Sequence, residues 1–153
     1  MKKISVDEIK MDTARNTIIN QHAKFGKTIG VNGCFGSSDL GQMTGFIARE
    51  VVKAIPNAFM RCPLALNPEI EGPSQVLFHD DFQVTIDGCQ AQCLVKTLQK
   101  IAIKPDLSYS LDTDFNLEKR PGPDFDQDKM KEIAAKIIQD IKEKILIKNK
   151  LII

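Results

Sequence analysis

Three observations predict a three-layer α/β domain built on a mostly parallel sheet of about four strands. Short runs rich in β-branched residues alternate with segments of helical spacing from residue 27 to residue 145. Three of those runs reach a cysteine that sits beside a glycine or a proline. No internal repeat or linker divides the chain, and its 153 residues are enough for one domain with its own core. Strands that alternate with helices lie parallel and take right-handed crossovers, which covers the sheet on both faces.

Residues 1–25 are polar with weak periodicity and read as an N-terminal extension, leaving 26–153 as the single α/β domain. Residues 27–34 (KTIGVNGC) form the first strand, and the small residues of GCFGSSDLG make a tight loop after it. From Gln42, apolar positions 43, 46, 47, 51, 54 and 55 have helical spacing, and Pro56 stops the helix. NAFMRCPLAL is the second strand, running up to Cys62 and Pro63. Gly72 and Pro73 break the next segment into a short or interrupted crossover. FQVTIDGC is the third strand, with β-branched Val84, Thr85 and Ile86. QAQCLVKTLQKIAI is helical, with Leu94, Leu98 and Ile101 on one face, and DLSYSLDTDF is the fourth strand. After a polar loop with two prolines, Asp124 or Asp126 caps a last helix whose apolar positions are 130, 133, 134, 137, 138, 141 and 145.

Composition removes several function classes. A formal net charge of +1 gives no electrostatic reason to bind nucleic acid or an anionic membrane. Lys142, Lys144, Lys148 and Lys150 stand among Asp140 and Glu143 and read as a solvated helix face. No apolar stretch follows Lys2 and Lys3, and none approaches the roughly 18 residues of a membrane span. The expectation is a cytoplasmic protein with a small-molecule or protein partner that the sequence does not specify. Thiols stay reduced in that compartment, so cysteines there serve metals or catalysis more often than disulfides.

The chain has four cysteines. Cys34 ends the first strand, Cys62 closes the second, Cys89 ends the third, and Cys93 is read one turn inside the following helix. In an open parallel sheet, ligands bind beyond the carboxyl ends of the strands. If the first strand lies between the second and third, as in the flavodoxin-like order of a Rossmann-like fold, these ends are neighbours about 4.8 Å apart. A residue four positions along a helix returns to the same face, which brings Cys93 over Cys89, while Gly88 lets the backbone turn. Four thiols at one point make Cys34, Cys62, Cys89 and Cys93 candidate metal ligands, with zinc the default and an iron–sulfur cluster the alternative. Two readings compete: a thiol-dependent enzyme or carrier with Cys34 as nucleophile or redox thiol, and plain burial of small residues.

At these motifs the sequence resembles the DGC-domain family, whose members are regarded as zinc-binding proteins. The resemblance runs from about residue 28 to residue 115, with a fainter echo in the last helix. It is carried by GCFGSSDLGQMTGFIAREV, MRCPLAL, IDGCQAQCLVKTL and IKPDLSYSLDTDF. It implies Cys34, Cys62, Cys89 and Cys93 as zinc ligands and implies no particular reaction. The N-terminal extension and the interrupted crossover at Gly72 and Pro73 depart from the family pattern.

The loop CFGSSDLGQ raises a separate possibility of chemistry. A cysteine, a small-residue loop and a helix start can gather N–H groups around an anion. A cysteine phosphatase also needs an arginine in that loop; positions 35–42 hold none, and Asp39 would repel phosphate. Ser37 and Ser38 could still donate to an anion. Among the remaining polar residues, His22 and His79 read as solvent-exposed, with His79 a substitute ligand only if a thiol is misplaced. Asp87 reads as a helix cap, Asp112 and Asp114 as solvent-facing carboxylates at the sheet edge, and Arg61 as a charge partner for the Cys62 thiolate.

Overall fold

The computed structural model describes residues 2–67 and 69–151; Met1, Pro68 and residues 152–153, at or inside the ends of the two expected segments, lie outside it. Four strands form one all-parallel sheet in the order β2-β1-β3-β4: β1 (Ile29–Gly33), β2 (Ala58–Met60), β3 (Phe82–Asp87) and β4 (Leu107–Ser110). This is the flavodoxin-like order, with the first strand between the second and third. In the chain order of the helices, α1 is Asp12–Phe25, α2 Asp39–Ala54, α3 Glu71–Phe78, α4 Cys93–Lys100, α5 Leu111–Asp114 and α6 Gln127–Ile141.

Side chains alternate between the faces of a strand, and here the two faces differ in kind. Ile29, Val31, Val84 and Ile86 point into an apolar layer filled by Met43, Ile47 and Val51 of α2 and Ile133, Ile137 and Ile141 of α6. Their neighbours Thr28, Asn32, Gln83, Thr85 and Asp87 are buried on the other face. That face is held by hydrogen bonds: Asn32 Nδ2 donates to Gln83 Oε1 at 3.1 Å, and Gln83 Nε2 donates to the Leu77 carbonyl at 2.8 Å. Below it lies a second, smaller apolar cluster of Ala65, Leu66, Leu77, Leu94 and Leu98, against which Cys34 packs.

Several elements differ from the sequence expectation, each for a local reason. Helix α2 begins at Asp39, three residues before the expected Gln42, because Ser38 caps it: Gly41 N donates to Ser38 Oγ at 3.1 Å. Phe46 and Ala54 face outward, and buried Thr44 takes a place in the inner stripe. Strand β2 stops at Met60, and Cys62 precedes a 3-10 turn at Pro63–Leu66. The interrupted crossover contains a two-turn helix, α3, which accepts Gly72 and Pro73 because they fall in its first turn, where the missing proline N–H has no helical partner. The fourth run ends at Ser110 and continues as α5. Asp126, not Asp124, caps α6, accepting from Lys129 N at 2.9 Å. A π-helical turn, Lys142–Ile147, extends α6.

The expected extension contains α1, whose weak periodicity has a structural cause. It buries only Ala14 and Ile18, and its C-terminal turn is anchored by polar contacts instead. Gln21 accepts from Arg61 Nη2 at 2.9 Å, and His22 Nε2 lies 3.2 Å from Asp81 Oδ2. Both histidines are therefore half-buried tethers rather than solvent-exposed side chains; His79 Nε2 bonds the Ile4 carbonyl at 2.9 Å. Arg61 is likewise turned away from Cys62. It forms a buried two-pronged pair with Asp80, at 2.7 Å through Nε and 2.6 Å through Nη2.

Candidate thiol site

Three of the four cysteines reach one place. Cys34 follows β1 directly, its N–H continuing the sheet ladder to the Ile86 carbonyl at 3.1 Å. Cys89 follows β3 after Gly88, and Cys93 opens α4. Together with Gly36, Gly41 and Lys119 they line a cavity of about 230 Å³ at the carboxyl end of the sheet. Cys62 is exposed ahead of the 3-10 turn and is not part of that lining.

The connection from Cys89 to Cys93 is a turn rather than helix. Gln92 N donates to the Cys89 carbonyl at 3.0 Å, and Gln92 itself has left-handed φ of 50°. Helix α4 starts at Cys93 because the Asp87 carboxylate takes the N–H groups of Leu94 at 2.9 Å and Val95 at 3.4 Å. The expectation that Asp87 caps this helix holds. Burial pushes its carboxyl above the usual carboxylate range, and the two N–H donors offset part of that. The placement of Cys93 one turn inside the helix does not hold.

Gly88 has a different task from the one expected. A Cβ built on it would stand 2.8 Å from the Gly41 nitrogen and 2.9 Å from Gly41 Cα. Its place in the motif is thus a close approach between the β3 loop and the first turn of α2. That approach lets the Gly88 N–H donate to Cys34 Sγ at 3.3 Å. The Thr44 hydroxyl lies 3.8 Å from the same sulfur, but its one proton has a shorter acceptor in the Gly41 carbonyl at 2.7 Å. Thr44 also accepts from Phe35 N at 3.1 Å, which fixes the left-handed Phe35 (φ 50°) at the start of the loop. On the far wall, Lys119 Nζ is 3.6 Å from Cys89 Sγ.

Of the N–H groups expected to surround an anion, those at the start of α2 are already used. At the start of α2, Asp39 N donates to the Arg120 carbonyl at 3.1 Å, Leu40 N to Asp39 Oδ1 at 2.6 Å, Gly41 N to Ser38 Oγ, and Gln42 N to the Ser38 carbonyl at 2.9 Å. Asp39 is buried, and its carboxylate also accepts from Arg120 N at 2.8 Å, pinning the loop after α5 against α2. Asp114 faces solvent as expected and Asp112 is half-buried, and both carboxylates are anchored: Asp112 accepts from Gln90 N at 2.9 Å and Asp114 from Ser110 N at 2.7 Å. Burial works to raise the Asp112 carboxyl, yet these donors together with Thr113 and Ser110 hold it below its usual value.

A model of the DGC domain matches residues 30–137, from β1 into α6. The chain belongs to the DGC-domain family. No curated protein and no solved structure matches it. The family match takes in the Cys34 loop, the namesake Asp87-Gly88-Cys89 and the Lys119–Arg120 segment, so every wall of the cavity is DGC-domain sequence.

Whether a metal fits these residues has two sides. Three thiols around one cavity, with hydrogen-bond donors on two of the sulfurs, are the donor chemistry that zinc accepts. Yet among the described residues no three His, Cys, Asp or Glu side chains close on a common point that would hold an ion. Thr44 and Lys119 were missed in the sequence. Thr44 had a signal, a hydroxyl inside an apolar helix stripe; Lys119 had none, since it lies 30 residues from its sulfur neighbour in a polar loop.

Proposed function

We propose that this DGC domain is a thiol-centred metal-binding protein in which Cys34, Cys89 and Cys93 bind zinc and Cys62 completes the set. The observation that supports it is that three thiols line one cavity while a backbone N–H addresses Cys34 and an ammonium addresses Cys89. Both donors lower the cost of gathering several thiolate charges at one metal. The exposed segment around Cys62 is the part that would move to close the site; the other three thiols are fixed by β1, β3 and α4. Elemental analysis of freshly purified untagged protein tests the reading. About one zinc per chain, with thiols released on chelation, is the expected result. An absence of zinc overturns it, and visible absorbance with iron replaces it with an iron–sulfur cluster on the same ligands.

A second reading is favoured by the side-chain geometry, since among the described residues no three ligating side chains converge on one point. Cys34 then acts alone as a nucleophilic or redox thiol, held at the sheet edge with its sulfur accepting from Gly88. One thiol alkylated far faster than the others in protein as purified, without metal, supports this alternative.

A further inference from the structure

The thiol cavity is not isolated. A second cavity of about 400 Å³ adjoins it, walled by Ser37, Ser38, Lys119, Arg120, Pro121 and Gly122. Ser37, Ser38 and Lys119 belong to both, so the two spaces share a wall of hydroxyls and an ammonium. The loop bearing the two cations is fixed in place: Ser38 and Pro121 form a β-bridge, and Asp39 and Arg120 exchange two hydrogen bonds. The charged residues that line this second cavity are the two cations; the neighbouring carboxylates Asp39 and Glu118 match them in number but stand outside the lining, and Asp87 in the thiol cavity is bonded to the Leu94 and Val95 N–H groups. Asp39 is turned inward onto N–H groups, and Glu118 meets the Arg120 guanidinium only at 3.3 Å with both side chains largely in water. An exposed pair of that kind is worth little and yields readily to a competing anion.

From this juxtaposition we infer that the two cavities form one site for a small molecule carrying an oxyanion, a phosphate or a carboxylate. The oxyanion sits between Lys119, Arg120 and the serine hydroxyls, and the rest of the molecule extends to the sulfurs. The inference rests on reading the Cys34 cavity as a thiol site, but its anion-binding half stands on other residues. Guanidinium and ammonium groups beside hydroxyls recognise such anions by charge-assisted hydrogen bonds. The backbone N–H groups of α2 take no part, because each is already bonded.

Two measurements on the full chain, purified and reduced, test it. In the first, inorganic phosphate and acetate are titrated separately against ¹⁵N-labelled protein, with chloride at matched ionic strength as the control. Saturable shifts at the amides of Ser37, Ser38, Lys119 and Gly122 that vanish in a Lys119→Gln/Arg120→Gln variant are expected, and the stronger arm identifies the oxyanion. Shifts no larger than those in chloride, or unchanged in the variant, overturn the inference. In the second, iodoacetate and iodoacetamide alkylate the chelator-treated protein, with site-by-site readout by peptide mass. The two reagents share one leaving group and differ in the carboxylate, so their rate ratio at Cys34 reads the anion site. Exposed Cys62 is the internal reference. A ratio about tenfold above that at Cys62, lowered by the double variant, is expected. Equal ratios at the two cysteines overturn the inference. Phosphate shifts with Cys34 inert to both reagents uphold the anion site and overturn the thiol reading.

Discussion

Replacing Gly88 by alanine separates a packing glycine from a turning one. The added Cβ meets the Gly41 nitrogen at 2.8 Å, Gly41 Cα at 2.9 Å and the Leu40 carbonyl carbon at 3.0 Å. All three are backbone atoms of the first turn of α2, so no rotamer change relieves them. Carbon contacts settle at about 3.5–4.0 Å, so the loop and the helix have to part by roughly half an ångström or more. Overpacking of this kind costs about 1–3 kcal/mol. For a chain of this size each kcal/mol moves Tm by roughly 2–4 °C, giving a fall of about 2–12 °C. The same displacement draws the Gly88 N–H off Cys34 Sγ, so the alkylation rate of Cys34 changes with it. Urea unfolding and thermal melts measure the first effect, and iodoacetamide kinetics the second. Gly36→Ala is the matched control: its Cβ lies 3.7 Å from both Cys34 Sγ and Gly41 Cα, ordinary contacts, and stability should stay within about 0.5 kcal/mol of wild type. A Gly88→Ala protein with wild-type stability and wild-type Cys34 kinetics refutes the close-approach argument.

The other predictions concern the anchors around the site. Arg61→Ala strands Asp80, whose side chain is 1% exposed, and should cost about 3–5 kcal/mol in urea unfolding; adding Asp80→Asn should restore part of the loss. His79 is held below its ordinary pKa by burial and by Lys3 and His22, although its bond to the Ile4 carbonyl and the Asp80 charge act the other way. Above about pH 6.5 both folded and unfolded chains carry it neutral, so it costs nothing there. As pH falls through that value toward the lower folded one, the unfolded chain takes up the proton first and stability declines. His79→Gln should flatten that segment of a Tm–pH curve; an unchanged slope sinks the assignment. If zinc is bound, Cys62→Ser should weaken it least, and Ser at 34, 89 or 93 should remove about one equivalent per chain; competition with a colorimetric chelator ranks the four.

The ends of β1 and β3 were legible because apolar runs stopped by Gly-Cys leave few alternatives, whereas β2 stops at Met60, short of the expected Cys-Pro, and the sheet order entered as a condition that the pairing meets. Cys34 and Cys89 could be placed at strand ends from that pattern, and at neighbouring ones given the flavodoxin-like order. Cys93 also lands in the cavity, but by a turn that the helical spacing of Leu94 and Leu98 does not reveal. Its cause is the Asp87 carboxylate reaching forward to Leu94 and Val95. The role of Arg61 was illegible for another reason: its neighbour in sequence is Cys62, but its partner, Asp80, is a tertiary contact 19 residues on. Helix α1 gave little signal because two buried residues do not make an amphipathic stripe. Residues 119–122 are joined to α2 through Asp39, a contact 81 residues long, and no local pattern encodes it.

The two unlike faces of the sheet also act as a gauge. If β3 slipped by one residue along β1, Gln83, Thr85 and Asp87 would enter the apolar layer while Val84 and Ile86 turned into the hydrogen-bonded one. Gln83 and Asp87, stripped of their partners, cost about 1–3 kcal/mol each, and Val84 and Ile86 exchange apolar packing for contact with polar groups. The error is penalised on both sides at once, so a misalignment of one rise, about 3.3 Å, is not an accessible state. The relative height of Cys34 and Cys89 is therefore set by side chains such as Asn32 and Gln83. A substitution there, well below the cavity and touching neither sulfur, would shift the zero of the scale on which the two thiols are positioned.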